Sequence, residues 1–150
     1  MKNFYTALMT YFNAETAGVH NDFYNDINGQ LYHGEAIKGA EYPYCVYLHV
    51  VDTQIDTFKN KMDNIIIQFS IFSKQSSPVE VYDAMSHLKS LFDDCVLSIS
   101  GGTLVSFYRI TDGLQKEEAT TTSGEQIITT SGEQGIWHFH CDYNAIFERT

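Results

Sequence analysis

The hydrophobic positions of this chain change period several times, and each change marks an element. Between about Asn3 and Thr16, Phe4, Leu8, Tyr11 and Phe12 recur at spacings of three and four, the stripe of an amphipathic helix ending near Gly18. Val19 to Glu41 loses that period and is rich in Asn, Asp and Gly, so it reads as loop and turn with one short candidate strand at Gln30–His33. Pro43 opens a strand, a position where a missing N–H is tolerated, and Tyr44, Val46, Leu48 and Val50 alternate as its apolar face, with Cys45, Tyr47 and His49 facing the other way. From Asn64 to Ser73, Ile65, Ile67, Phe69 and Ile71 share one strand face and Ile66, Gln68, Ser70 and Phe72 the other. The polar stretch between these strands, Thr53 to Asp63, carries Lys59 and Lys61 and predicts a hairpin with a projecting tip.

The clearest local signal follows. Ser77 as N-cap, Pro78 at the first helical position and Glu80 at the third form a capping box, and Val81, Ala84, Met85, Leu88, Leu91 and Phe92 continue with helical period to Asp93 or Asp94. Val96–Ile99 reads as a short strand, Gly101–Gly102 as a turn and Thr103–Ile110 as a further strand. Thr111 to Gly135 turns to Thr, Ser, Gly, Glu and Gln, with the hexamer Thr-Thr-Ser-Gly-Glu-Gln at 121–126 and again at 129–134. Two such units cannot bury a core, so 112–135 is a flexible surface loop or a β-arm that orders against a neighbouring subunit. Trp137, Phe139, Cys141, Tyr143, Ala145 and Phe147 then alternate with polar residues in a long half-buried strand. The order predicts one α+β domain over residues 1–150: two helices on one face of an antiparallel sheet of about four or five strands, with a projecting hairpin or arm. The other sheet face is expected to carry Cys45, Tyr47, His49, Gln68, Ser70 and Phe72, a mixed surface suited to a subunit interface.

Bulk properties narrow the function. With 19 acidic and 9 basic residues the formal charge is −10, too few cations for a tight nucleic-acid groove. Ten Tyr and ten Phe in 150 residues exceed what one core consumes, and Tyr in such numbers suits contact surfaces. Cys45, Cys95 and Cys141 show no CxxC spacing and no signal peptide is visible, so free buried thiols and a reduced intracellular site of synthesis are expected. Apolar stretches fall well short of the roughly 20 residues a membrane span needs.

No pattern for catalysis or cofactor binding emerges. His138 and His140, with Asp142 next along the same strand face and His49 from another strand, could hold a divalent metal, but such pairs are common on solvated strands. Cys141 and His140 point to opposite faces, so the histidine cannot activate the thiol. Asp93–Asp94 closes a helix where the dipole disfavours carboxylates, so a lysine, a turn open to water or an interface must compensate.

The phrases Tyr42-Pro-Tyr-Cys-Val-Tyr47, Gln68-Phe-Ser-Ile-Phe-Ser73 and Trp137-His-Phe-His-Cys-Asp-Tyr143, joined by Ser77-Pro-Val-Glu80 and Leu91-Phe-Asp-Asp94, resemble in order and spacing the tail-completion proteins of long-tailed bacteriophages. The resemblance spans about residues 1–110 and 136–149; the duplicated segment departs from it. It implies a structural virion protein, not an enzyme, without metal or cofactor. Such a subunit is assembled in the host cytoplasm into a six-membered ring at the head-proximal end of the tail. The implied partners are other copies of the chain, the tail tube protein, the head–tail connector proteins, and double-stranded DNA passing through the lumen without specific binding. A ring needs two different patches per subunit, and the candidates are the strand with Tyr42, Tyr44 and Tyr47, the tip with Lys59 and Lys61, and the 112–135 arm. A head-closure or adaptor subunit and a metal-dependent enzyme using His138 and His140 remain as alternatives.

Overall fold

The computed structural model describes residues 1–57, 59–117 and 135–149. Helix α1 spans Lys2–Phe12, and the small strands β1 (Glu15–Thr16) and β2 (Val19–His20) pair across Ala17 and Gly18, both at positive φ. A short helix, α2 (Asp22–Asp26), and strand β3 (Leu31–His33) follow, then the long strands β4 (Tyr44–Asp56) and β5 (Lys61–Ser73), helix α3 (Val79–Phe92), and strands β6 (Gly102–Glu117) and β7 (Ile136–Arg149). The five-stranded sheet has the order β3-β4-β5-β7-β6. Each of its four long strands is antiparallel to its neighbour, and β3 adds parallel to β4, so the sheet is mixed at one edge.

Helices α1 and α3 cover one sheet face, as the two amphipathic stripes require. Phe4, Leu8 and Phe12 of α1 and Val81, Leu88 and Phe92 of α3 are fully buried against Ile65, Ile67, Phe69, Ile71, Phe139, Cys141 and Tyr143. Phe92 is the hub: its ring stacks on Phe69 at 4.9 Å and meets Phe23, Phe107, Tyr143 and Tyr11 at 6.2–6.3 Å. The segment read from sequence as loop is tied down by Phe23, Ile27 and Leu31, all buried, and α2 starts on a cap in which Asn21 Oδ1 accepts from Tyr24 N at 2.8 Å.

Several boundaries differ from the sequence pattern. The first helix ends at Phe12, because the chain turns at Asn13 into the β1–β2 hairpin. Ser77 and Glu80 do not close a capping box: Ser77 Oγ is a long 3.4 Å from Val79 N, while the Glu80 carboxylate accepts from Ser73 Oγ at the end of β5. Val96–Ile99 is not a strand. Leu97 and Ile99 are buried and Val96 exposed, but no ladder forms, and the segment is pinned by Asn3 Nδ2 donating to Ser100 O at 2.7 Å. Strand β6 continues past Ile110 to Glu117, pairing with β7 out to Ile136, and the duplicated 121–134 segment lies outside the described residues.

The largest correction concerns β4. Tyr44, Val46 and Leu48 pair with Phe72, Ser70 and Gln68 on the uncovered face, whereas Cys45 and Tyr47 pair with Ile71 and Phe69 and are buried under the helices. Both alternating sets of β4 are apolar, so alternation alone cannot orient it. The unambiguous Ile65/Ile67/Phe69/Ile71 set of β5 does so through the ladder. A bulge between His49 and Val51 then shifts the register, and every residue from Val50 to Asp56 is exposed.

Candidate assembly surface

The sheet face opposite the helices brings the three aromatic phrases side by side. Ladder pairing sets Tyr44, Phe72, His138 and Gln115 in one row across β4, β5, β7 and β6. The rings of this row are in contact: Tyr44 lies 5.3 Å from Phe72, and Phe72 stacks on His138 at 4.5 Å with planes 15° apart. Tyr42, reached through a cis Tyr42–Pro43 bond, extends the row at 5.2 Å from Tyr44, and Tyr32 of β3 meets Tyr44 edge-on at 6.3 Å. Partial burial, and after it the neighbouring Tyr42 hydroxyl, pushes the Tyr44 phenol above its ordinary value, so it remains a neutral donor and acceptor.

The next rows along this face are polar. Ser70 and His140 sit beside Gly113, where a Cβ would stand 2.6 Å from His140 Cε1, so the imidazole lies directly over the glycine backbone. Beyond them Gln68 Nε2 donates to Asp142 Oδ1 at 2.8 Å. His138 Nδ1 is 3.1 Å from Glu117 Oε1 and 3.2 Å from Gln115 Nε2. These contacts link the side chains across neighbouring strands, and His138 is left only 16% exposed.

The sequence-predicted residues divide between this surface and other places. Tyr42 is exposed and Tyr44 half-buried at one end of the sheet. Tyr47 is only 1% exposed, stacked on His33 at 4.8 Å on the helix side, and burial pushes its phenol up to about 12; its ring is used within the chain and offers no contact surface. Lys59 and Lys61 are exposed at the opposite end, where Lys61 pairs with Asp56 and Arg149. Along β5, Lys61 and Phe72 are about 36 Å apart at roughly 3.3 Å per residue, so the tyrosines and lysines form two patches.

The metal reading loses a ligand by topology. His49 lies on the helix side beside Tyr5, its Nε2 2.9 Å from Val51 O, on the face opposite His138, His140 and Asp142. Among the described residues no three His, Cys, Asp or Glu side chains converge as a metal site. All three cysteines are free and buried, and desolvation pushes Cys95 and Cys141 up to about 12 and Cys45 higher still, which makes them thiols rather than nucleophilic thiolates. Among the described residues no helix is long and apolar enough to cross a membrane.

One charged cluster was missed by sequence reasoning. Asp93, at the end of α3, accepts from the buried Tyr143 hydroxyl at 2.7 Å and from Arg109 Nη2 at 3.1 Å. Asp112 Oδ2 accepts from Arg109 Nη1 at 2.6 Å and Lys89 Nζ at 2.9 Å, and these partners, Lys89 first, hold its carboxyl below the ordinary range. The dipole argument asked for a lysine, a turn open to water or an interface at Asp93; the partner is instead Arg109, brought by the β6–β7 ladder, and finding it needed the topology.

No protein-family model and no curated protein matches the chain. Among solved structures, a chain from the virion of a native gene transfer agent particle is similar in fold, with a TM-score of 0.65 at 9% identity, covering 95% of this chain and 92% of that one. The likeness therefore runs over nearly the whole length of both chains and is one of fold.

Proposed function

We propose that this chain is a structural protein of a virion: a subunit of a six-membered ring that terminates the tail tube of a long-tailed phage and joins it to the head connector. The observation that carries the reading is the fold likeness to a gene transfer agent virion chain over nearly the full length of both, which agrees with the sequence resemblance to tail-completion proteins. The sheet face opposite the helices, bearing the Tyr42, Tyr44, Phe72 and His138 row, supports it, because aromatic rings with polar tips are what interfaces between proteins enrich. The Lys59 and Lys61 tip at the far end of the sheet supplies a second, chemically different patch, so the two ends of the sheet can meet different neighbours in the stack. A formal charge of −10 suits a lumen through which duplex DNA slides without sticking.

Native mass spectrometry of the purified protein, with negative-stain imaging of the protein alone and mixed with tail tubes, tests the reading. A closed ring, alone or on tube ends, is the expected result. A ring that ignores tube ends and binds head-side connector parts would move the assignment to a head-closure or adaptor subunit. A strict monomer that ignores both would overturn it.

A further inference from the structure

The described sheet ends in two bare edges. Strand β3 covers β4 only from Cys45 to Tyr47, leaving the outer side of β4 from Leu48 to Asp56 without a strand; β6 is last in the order and has no strand along its outer side. Both edges expose apolar side chains, Val50, Val51 and Ile55 on β4 and Val105, Tyr108 and Ile110 on β6, each 39–54% exposed. Edge strands are ordinarily guarded by Lys, Pro or bulges. Neither Leu48–Asp56 nor Gly102–Ile110 contains Lys or Pro, and their bulges bend the strands without covering the backbone donors and acceptors.

The two edges are complementary in direction and level. Because each of β4, β5, β7 and β6 is antiparallel to its neighbour, β4 and β6 run in opposite senses, so a second copy displaced sideways in the plane of the sheet meets β6 antiparallel with its β4. The ladder puts them at the same height: Asp56, Lys61, Arg149 and Gly102 form one row, and Val51, Ile66, Asn144 and Tyr108 another. Val50–Asp56 carries Asp52 and Asp56 while Gly102–Ile110 carries no acidic residue, so the pairing sets no carboxylate against another along the two edges. An isologous pairing of β6 with β6 would leave the exposed β4 limb bare.

We infer that the Gly102–Arg109 edge of one copy pairs antiparallel with the Val50–Asp56 edge of the next, so that one sheet runs continuously from subunit to subunit. The inference rests on the ring reading and adds its interface: two different edges per chain give a heterologous contact, the kind that closes into rings.

Cysteine cross-linking tests it. Thr53 is level with Ser106 on the uncovered face, with Thr103 and Tyr108 on the same face to either side, and the native cysteines are buried and out of reach. Thr53→Cys protein is mixed in turn with Thr103→Cys, Ser106→Cys and Tyr108→Cys proteins under mild oxidation, while native mass spectrometry follows the unmodified chain. The expected result is a shift from the 17.1 kDa chain to a covalent dimer in at least one mixture and in no single-variant sample. A dimer from Ser106→Cys or Tyr108→Cys alone would mean β6 pairs with itself and would overturn the inference. Closed rings without a cross-link in any mixture would also overturn it while leaving the ring reading intact. Neither rings nor cross-links, with or without tail tubes, would overturn both.

Discussion

The Tyr143 hydroxyl donates to Asp93 Oδ1 across 2.7 Å, joining the middle of β7 to the end of α3. Asp93 sits where the helix dipole disfavours an anion, so its two oxygens need donors, and Tyr143 and Arg109 supply one each. Tyr143→Phe keeps the ring that stacks on Phe107 at 5.0 Å and removes only the donor. The expected cost is about 1–2 kcal/mol, the lower part of the range for hydrogen bonds to charged groups because Asp93 is partly solvated. Thermal unfolding should fall by about 2–6 °C; an unchanged midpoint would mean that water replaces the hydroxyl at no cost.

Phe92 should be the most costly single truncation. Its fully buried ring touches aromatic side chains from α1, α2, β5, β6 and β7, so no one neighbour can collapse into the space it leaves. Phe92→Ala is expected to cost about 3–5 kcal/mol. Urea denaturation compared with Phe92→Leu, which refills part of the volume, measures it; equal loss in both would point to ring stacking rather than volume.

A pH signature is expected at the α2–α3 contact. His87 Nδ1 lies 2.6 Å from Asp26 Oδ2, and that hydrogen bond above all raises the His87 pKa over its ordinary value. A group whose pKa is higher folded than unfolded contributes its full stability below the unfolded value, about 6.5, and loses it as pH rises through the folded one. The stability gap between wild type and His87→Gln should therefore be larger near pH ~5.5 than near pH ~8.5. Urea midpoints at the two pH values decide; a gap that is constant or widens with pH would rule the contact out as a titrating link.

The aromatic row gives a functional test. Tyr42 is exposed and Tyr44 half-buried on the uncovered face, so replacing both with Ser should leave the fold stable while removing ring area from the candidate contact surface. Aromatic side chains dominate protein interfaces, and under the proposed function binding to tail tubes should weaken by about tenfold or more. Co-sedimentation with tubes, alongside a circular dichroism melt, separates lost contact from lost fold; undiminished binding would remove this end of the sheet from the interface.

How much of this was legible in the sequence depended on how one-sided each pattern was. The Ile65, Ile67, Phe69 and Ile71 set of β5 and the α3 stripe from Val81 to Phe92 have a single apolar face, and both were read correctly. On β4 both alternating sets are apolar, and the orientation came out reversed, taking Tyr47 from the proposed surface into the core. Helix α2 is five residues long, too short to show a period, and is held by the Asn21 cap and by Phe23 in the core. The aromatic phrases were visible as phrases, but that Tyr44, Phe72 and His138 form one row is a property of register, and no local pattern encodes it.

The thiols provide an independent check on the core. Burial pushes Cys95 and Cys141 up to about 12, and Cys45 further. Since only the thiolate attacks a disulfide reagent, at pH ~8 each native thiol should be ionised far less than a free cysteine of pKa about 8.5. With an aromatic disulfide reagent the native protein is expected to show no rapid phase, and all three thiols should titrate promptly in denaturant. Any slow native reaction should begin at Cys95, which sits in the unpaired segment after α3 where local opening requires no ladder to break, and mass mapping of the modified site reads this directly. Prompt labelling of Cys45 or Cys141 in the folded chain would contradict the placement of β4 and β7 at the centre of the core.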